Sequence, residues 1–210
     1  MERPPRHARA ARALARAIFA LALVGVVFPL RADDSGEVAL VRVRNADAGG
    51  LLMVEATVGG ERSRWLIDTG SSEHLIAAAF ADQLGLRGEA AVTLRTPVGA
   101  QRGERVTLPE LQLGAARLAG LPAVRVDLQP LVGSLGMAVD GVLGAPLLAG
   151  RQLRLDLARQ TLVLRAAGAA ACSDPARRVE LASHRGVPLV RLDSAAGRGQ
   201  THLLDTGNPG

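Results

Sequence analysis

A stretch of 20 residues in this chain occurs in two versions. LLMVEATVGGERSRWLIDTG (residues 51–70) and PLVRLDSAAGRGQTHLLDTG (residues 188–207) align without gaps at an offset of 137. The alignment lays Asp68 on Asp205, Gly60 on Gly197 and Trp65 on His202. An apolar strand, a glycine turn, a second strand and an Asp-Thr-Gly ending all coincide. Repetition of this kind implies two copies of one supersecondary unit. Any fold must therefore present two equivalent Asp-Thr-Gly loops, each at the end of a buried strand.

The rest of the chain reads as short strands. VALVRVR alternates, and Gly59-Gly60 marks a hairpin turn within the first copy of the repeat. AVTLRTPVGAQRGERVTL gives a second hairpin with its tip over Pro97–Gly103. LQLGAARLAGLPAVRV and DGVLGAPLL follow, then a closing pair with period-2 leucines at 153, 155 and 157 and at 162 and 164. The segment EHLIAAAFADQLGL, residues 73–86, has helical spacing and a Gly85 stop, so it predicts one short helix. Residues 166–178, with Pro175, read as a linker. Residues 179–210 then begin a second, homologous unit.

An Asp placed after two buried aliphatics is costly to ionise unless hydrogen bonds compensate. One such loop reads equally as an Asx-turn at a strand end. Two copies related by a pseudo-twofold axis would bring Asp68 and Asp205 together. Carboxyls that close cannot both ionise at neutral pH and share a proton, leaving one as base for a water and the other as acid.

On these residues the segment 38–165 resembles a retropepsin-like aspartic protease lobe, of the kind found in retroviral proteases and their bacterial relatives. LIDTGSS resembles the catalytic loop, and Val142-Leu143-Gly144 resembles the hydrophobic-hydrophobic-Gly element that threads beneath it. The resemblance implies an all-β fold, a closed β-barrel lobe with one short helix, followed by the first hairpin of a second, incomplete lobe. It implies Asp68 and Asp205 as catalytic carboxylates, and Thr69 and Thr206 as interlobe hydrogen-bonding residues. Gly70 and Gly207 complete the loops, with Gly70 against the substrate backbone, while Ser71 would bond the carboxylate's outer oxygen. The TPVGAQRG tip, with Gly99, would be a flap over the substrate, although the same hairpin also reads as a plain surface feature. The flap lacks the Tyr of pepsin-like relatives, and in the second copy Asn208 and Pro209 replace Ser71 and Ser72.

The implied function is an aspartic endopeptidase acting on peptides or proteins, without cofactor or metal. The alternative is an exported peptide-binding module that keeps the fold but not the activity. From Cys172 onward only 39 residues remain, too few for an independent core. The sequence is therefore expected to be a fragment of a longer two-lobe chain, the other option being a homodimer.

Charge decides against nucleic acid. Residues 1–32 hold six Arg and one acid, whereas the other 178 residues balance 19 Arg against 19 acids. The net charge of +5 thus belongs to the N-terminal segment. There the Arg-rich start precedes the 14-residue apolar run AIFALALVGVVFPL, which is signal-peptide grammar. Export to the periplasm or beyond is expected, with cleavage after Ala32; an uncleaved anchor in the inner membrane is the alternative. Cys172 is the only cysteine, so no internal disulfide can form. His74 reads as a surface residue at the helix start and His202 as structural, so neither is taken as a catalytic partner.

Overall fold

The computed structural model describes residues 36–44, 50–96, 99–168, 179–194 and 197–208. The expected leader, most of the linker (169–178, with Cys172), Pro97 and Pro209 lie outside the described residues. In chain order the elements begin with β1 (Gly36–Arg44), β2 (Gly50–Val58), β3 (Glu61–Asp68), β4 (Leu75–Ala77) and α1 (Ala78–Gln83). They continue with β5 (Ala90–Thr96), β6 (Gly99–Thr107), β7 (Leu111–Leu113), β8 (Ala116–Leu118), β9 (Pro122–Val126) and α2 (Gln129–Leu135). β10 (Gly141–Gly144), a 3₁₀ turn (Ala145–Leu148), β11 (Arg151–Asp156) and β12 (Thr161–Ala166) complete the first unit. β13 (Leu181–His184), β14 (Val187–Ser194) and β15 (Gly197–Leu203) form a separate three-stranded sheet.

The large sheet runs β11-β12-β1-β2-β3-β10-β4-β9-β6-β5, with β7 branching from β2 and carrying β8. The β2–β3 hairpin turns at Gly59 and Gly60, both at positive φ (58° and 92°), a conformation glycine adopts without steric penalty. Successive strand residues point to opposite faces, and here both faces are covered. Leu52, Val54, Trp65, Ile67 and Leu143 join one buried cluster. Their neighbours Leu51, Met53, Leu66 and Val142 join another with Val124, Val126, Leu128 and Val139. Trp65, fully buried, donates its ring N–H to Ser63 Oγ at 2.8 Å, and Ser63 in turn donates to Ala56 O at 3.2 Å. That chain removes the penalty of an unpaired indole N–H.

The expected all-β lobe is what these strands form, with four differences. Leu75–Ala77 is a strand, not the first turn of the predicted helix, because it is gripped by β9 in parallel and β10 in antiparallel register, leaving only Ala78–Gln83 helical. A second helix, α2, holds Pro130 in its first turn and closes with Gly136 in the left-handed conformation. The β5–β6 ladder continues to the Thr96–Gly99 pair, so Gly99 to Gly103, expected in the hairpin tip, lie within a strand, with Gly103 opposite Val92. Leu157 does not follow Leu153 and Leu155 inward but sits 56% exposed in the turn between β11 and β12.

The second copy of the repeat folds as β14–β15, with β13 added on its outer side. Gly197 is already the first residue of β15, the register shifts between Leu192 and Ser194, and Val190 pairs with His202 where its counterpart Met53 pairs with Leu66. Val187 and Val190 are buried, and the 3₁₀ turn packs against β14. β10 lies beside β3 and buries Leu66 and Ile67 to 3% and 0% exposure. Among the described residues no strand lies beside β15 on that edge, and its counterparts Leu203 and Leu204 are 46% and 45% exposed.

Candidate active site

β3 delivers Asp68 at its last residue, and the chain then turns so that the loop closes on the carboxylate. Gly70 N and Ser71 N donate to Asp68 Oδ1 at 2.9 and 3.0 Å, while Ser71 N also reaches Asp68 O at 3.2 Å. The second loop repeats the pattern, with Gly207 N donating to Asp205 Oδ1 at 2.8 Å.

The two loops interlock through their threonines. Thr69 Oγ1 donates to Leu204 O at 2.6 Å and accepts Thr206 N–H at 3.1 Å. Thr206 Oγ1 donates to Ile67 O at 2.7 Å and accepts Thr69 N–H at 3.1 Å. Each hydroxyl therefore satisfies one carbonyl and one amide of the opposite copy, a reciprocity that demands local twofold symmetry. Thr69 is 6% exposed, so these bonds are made away from bulk water.

Each glycine lies against the carboxyl of the other loop. A Cβ on Gly70 would stand 2.6 Å from both carboxyl oxygens of Asp205. A Cβ on Gly207 would stand 2.5 and 2.7 Å from those of Asp68. Gly70 thus lies against the opposite carboxyl. No side chain larger than hydrogen fits at either position while the carboxyls stay together.

This crossing sets the electrostatics. Asp68 is pushed up from 3.8 to about 6, first by burial, then by the charge of Asp205 and by a hydrogen bond with its side chain. The amides of Gly70 and Ser71 pull the other way and are outweighed.

β10 supports the loop from below as expected. It runs parallel to β3, with Val142 opposite Leu66, Leu143 opposite Ile67 and Gly144 opposite Asp68. Ala145 N donates to Ser71 O at 2.8 Å. A Cβ on Gly144 would collide with Glu73 O and lie 2.8 Å from Ser71 O. Two sequence expectations fail here. Ser71 Oγ donates to Glu73 O at 2.8 Å, not to the outer carboxylate oxygen, because its main chain already serves Asp68. His74 is not on the surface: it is 1% exposed, and its Nδ1 accepts Gly144 N–H at 3.0 Å. Because β4 is a strand, His74 and Ile76 share one inward face; period 2 at these positions was the available signal.

Gly99 is not brought to the dyad. A Cβ there would meet nothing within 4 Å, and its carbonyl accepts Thr96 Oγ1–H at 2.9 Å. The hairpin is tied to the rest of the lobe lower down. Arg105 Nη2 meets Glu73 Oε1 at 3.2 Å, and Gln101 Nε2 donates to Asp127 O at 2.6 Å.

Residues 54–147 match the family model described as Aspartyl protease, a span that holds Asp68 and its loop, the β5–β6 hairpin and the β10 element. Over that span the lobe is similar to the aspartyl proteases. Its few helices and predominance of strands agree with the all-β lobe expected from the sequence. Among solved structures, a retropepsin-like aspartic protease from Rickettsia conorii is 21% identical, with 66% of this chain and 96% of that chain covered at a TM-score of 0.44. No curated protein matches the sequence.

Proposed function

We propose that the chain is an aspartic endopeptidase in which Asp68 and Asp205 form the catalytic pair. The observation that carries this reading is the crossed geometry: each loop's glycine abuts the other loop's carboxyl, and the threonines lock the two loops together. The pair holds one proton, the pattern known for aspartic proteases. The ionised carboxyl takes a proton from a water, whose oxygen attacks the scissile carbonyl carbon. The protonated carboxyl gives its proton to the carbonyl oxygen. Collapse of the resulting gem-diol breaks the C–N bond, with one proton passing to the leaving nitrogen, and the pair returns to its single-proton state. Thr69, Thr206, Gly70 and Gly207 hold the carboxyls in place, and the hairpin ending at Gly99 closes over a peptide.

Peptide cleavage by the wild-type chain is compared with that by Asp68→Asn and Asp205→Asn, with and without a pepstatin-type inhibitor. Cleavage is expected only in the wild type and to be lost with inhibitor; equal cleavage by all three proteins sinks the assignment. We further propose that the Arg-rich N-terminal segment directs export, or else anchors the lobe to the inner membrane. Fractionation of cells making the full sequence checks it, and a purely cytoplasmic product refutes it.

A further inference from the structure

We propose that His74 is a positioning residue of this site, its imidazole Nδ1 locking the β10 turn beneath the Asp68 loop by accepting the Gly144 N–H. The inference rests on the proposed protease reading. Three strands of backbone meet at this histidine. Its carbonyl accepts Val124 N–H from β9 at 2.8 Å, its ring accepts Gly144 N–H from β10 at 3.0 Å, and its chain neighbours form the Asp68 loop. Gly144 stands opposite Asp68 in the parallel ladder, so what fixes Gly144 fixes the floor under the carboxylate.

The choice of residue is informative. An aliphatic side chain would fill the same volume, yet the position holds a histidine whose Nε2 is buried and has no hydrogen-bond partner among the described residues. With Nδ1 accepting, the proton resides on Nε2, so the ring is set to serve Gly144 N–H at the expense of its other nitrogen. Arg151, at the start of β11, is the charged group that acts on the ring; the neighbouring Glu73 carboxylate turns away to Arg105. The facing residues of β9 and β10, Val124 and Gly141–Gly144, carry no charge. Burial first and Arg151 second keep the imidazole neutral down to about pH 4. Below that pH an imidazolium would set Nδ1–H against Gly144 N–H, and the lock would open.

The experiment uses His74→Asn, whose amide oxygen can replace Nδ1 as acceptor, and His74→Leu, which cannot accept. Two readouts are taken on the full chain: the exchange protection of the Gly144 amide by NMR, and kcat and KM on a peptide against pH. At about pH 5, His74→Leu should lower Gly144 protection and kcat by about tenfold or more with KM little changed, and His74→Asn should restore both. Below about pH 4 the wild type should lose Gly144 protection while His74→Asn keeps it. Unchanged protection in His74→Leu, or an Asn variant no better than Leu, overturns the proposal. If His74→Leu does not fold, the pH comparison of wild type with His74→Asn decides: loss at the same pH in both overturns it. A wild type that cleaves no peptide defeats the protease reading, whereas the exchange measurement still judges His74.

Discussion

Replacing Asp68 with Asn should stabilise the protein, and by an amount that depends on pH. A carboxyl whose pKa rises from 3.8 to about 6 on folding costs the folded state about 3 kcal/mol once the pH exceeds both values. The folded state binds more protons than the unfolded state within that window. Stability from this group is therefore intact at low pH and is lost as pH rises from about 3.8 through about 6. Solvent reaches part of the site, which brings the expected figure nearer 2 kcal/mol after screening. Asn keeps an acceptor for the Gly70 and Ser71 amides but has no charge to bury beside Asp205. Urea unfolding of wild type and Asp68→Asn at about pH 3 and about pH 7 measures the effect. The variant's advantage should be about 2–3 kcal/mol larger at the higher pH. A difference that is the same at both pH values, within about 0.5 kcal/mol, would refute the argument that burial and Asp205 raise this carboxyl.

His74 supplies the opposite slope: its pKa falls from 6.5 to about 4 on folding, so stability is lost as pH drops through that window, and His74→Asn should remove the loss in urea titrations. Gly70→Ala would drive a methyl into the Asp205 carboxyl and should reduce kcat by about 100-fold or more, with the fold retained by circular dichroism. Leu143→Ala empties a site that is 1% exposed in the main buried cluster, beside Trp65 and Ile67, and should cost about 2–5 kcal/mol in denaturant unfolding. If the pair works with one shared proton, kcat/KM should fall as pH rises through about 6, and a profile flat from pH 5 to about 8 would contradict that.

Much of the site was legible because it is local in sequence. The repeat pairs Asp68 with Asp205, and the apolar residues before each mark a buried strand ending in a turn. Val142-Leu143-Gly144 was legible only through its resemblance to a family element, and the structure supplies the physical reason: β10 runs beside β3 and Gly144 leaves room for the backbone of Ser71 and Glu73. The misreadings arose where distant chain segments compete with local preference. Leu75–Ala77 carries helical spacing, but β9 and β10 claim its backbone, and this also turned His74 inward. Ser71 has one hydroxyl and several acceptors within reach, and spacing cannot say that Glu73 O takes it. α2 is seven residues long and holds a glycine and a proline, with Gly136 as its cap, which masks its periodicity.

By itself the sequence determined that there are two matching loops, each with one carboxyl, one hydroxyl and one glycine in fixed order. That information is carried by residue identity and by the repeat, so no coordinates are needed to read it. Only the tertiary structure decided how the loops engage. Thr69 bonds the backbone of the Asp205 loop, Gly70 faces Asp205, and Gly207 faces Asp68. Neither loop could specify this alone, because the partners lie 135 to 139 residues apart and meet only when the two copies pack about their common axis. The raised pKa of Asp68 is a product of that meeting: burial and a second carboxyl act on it only after the loops have interlocked.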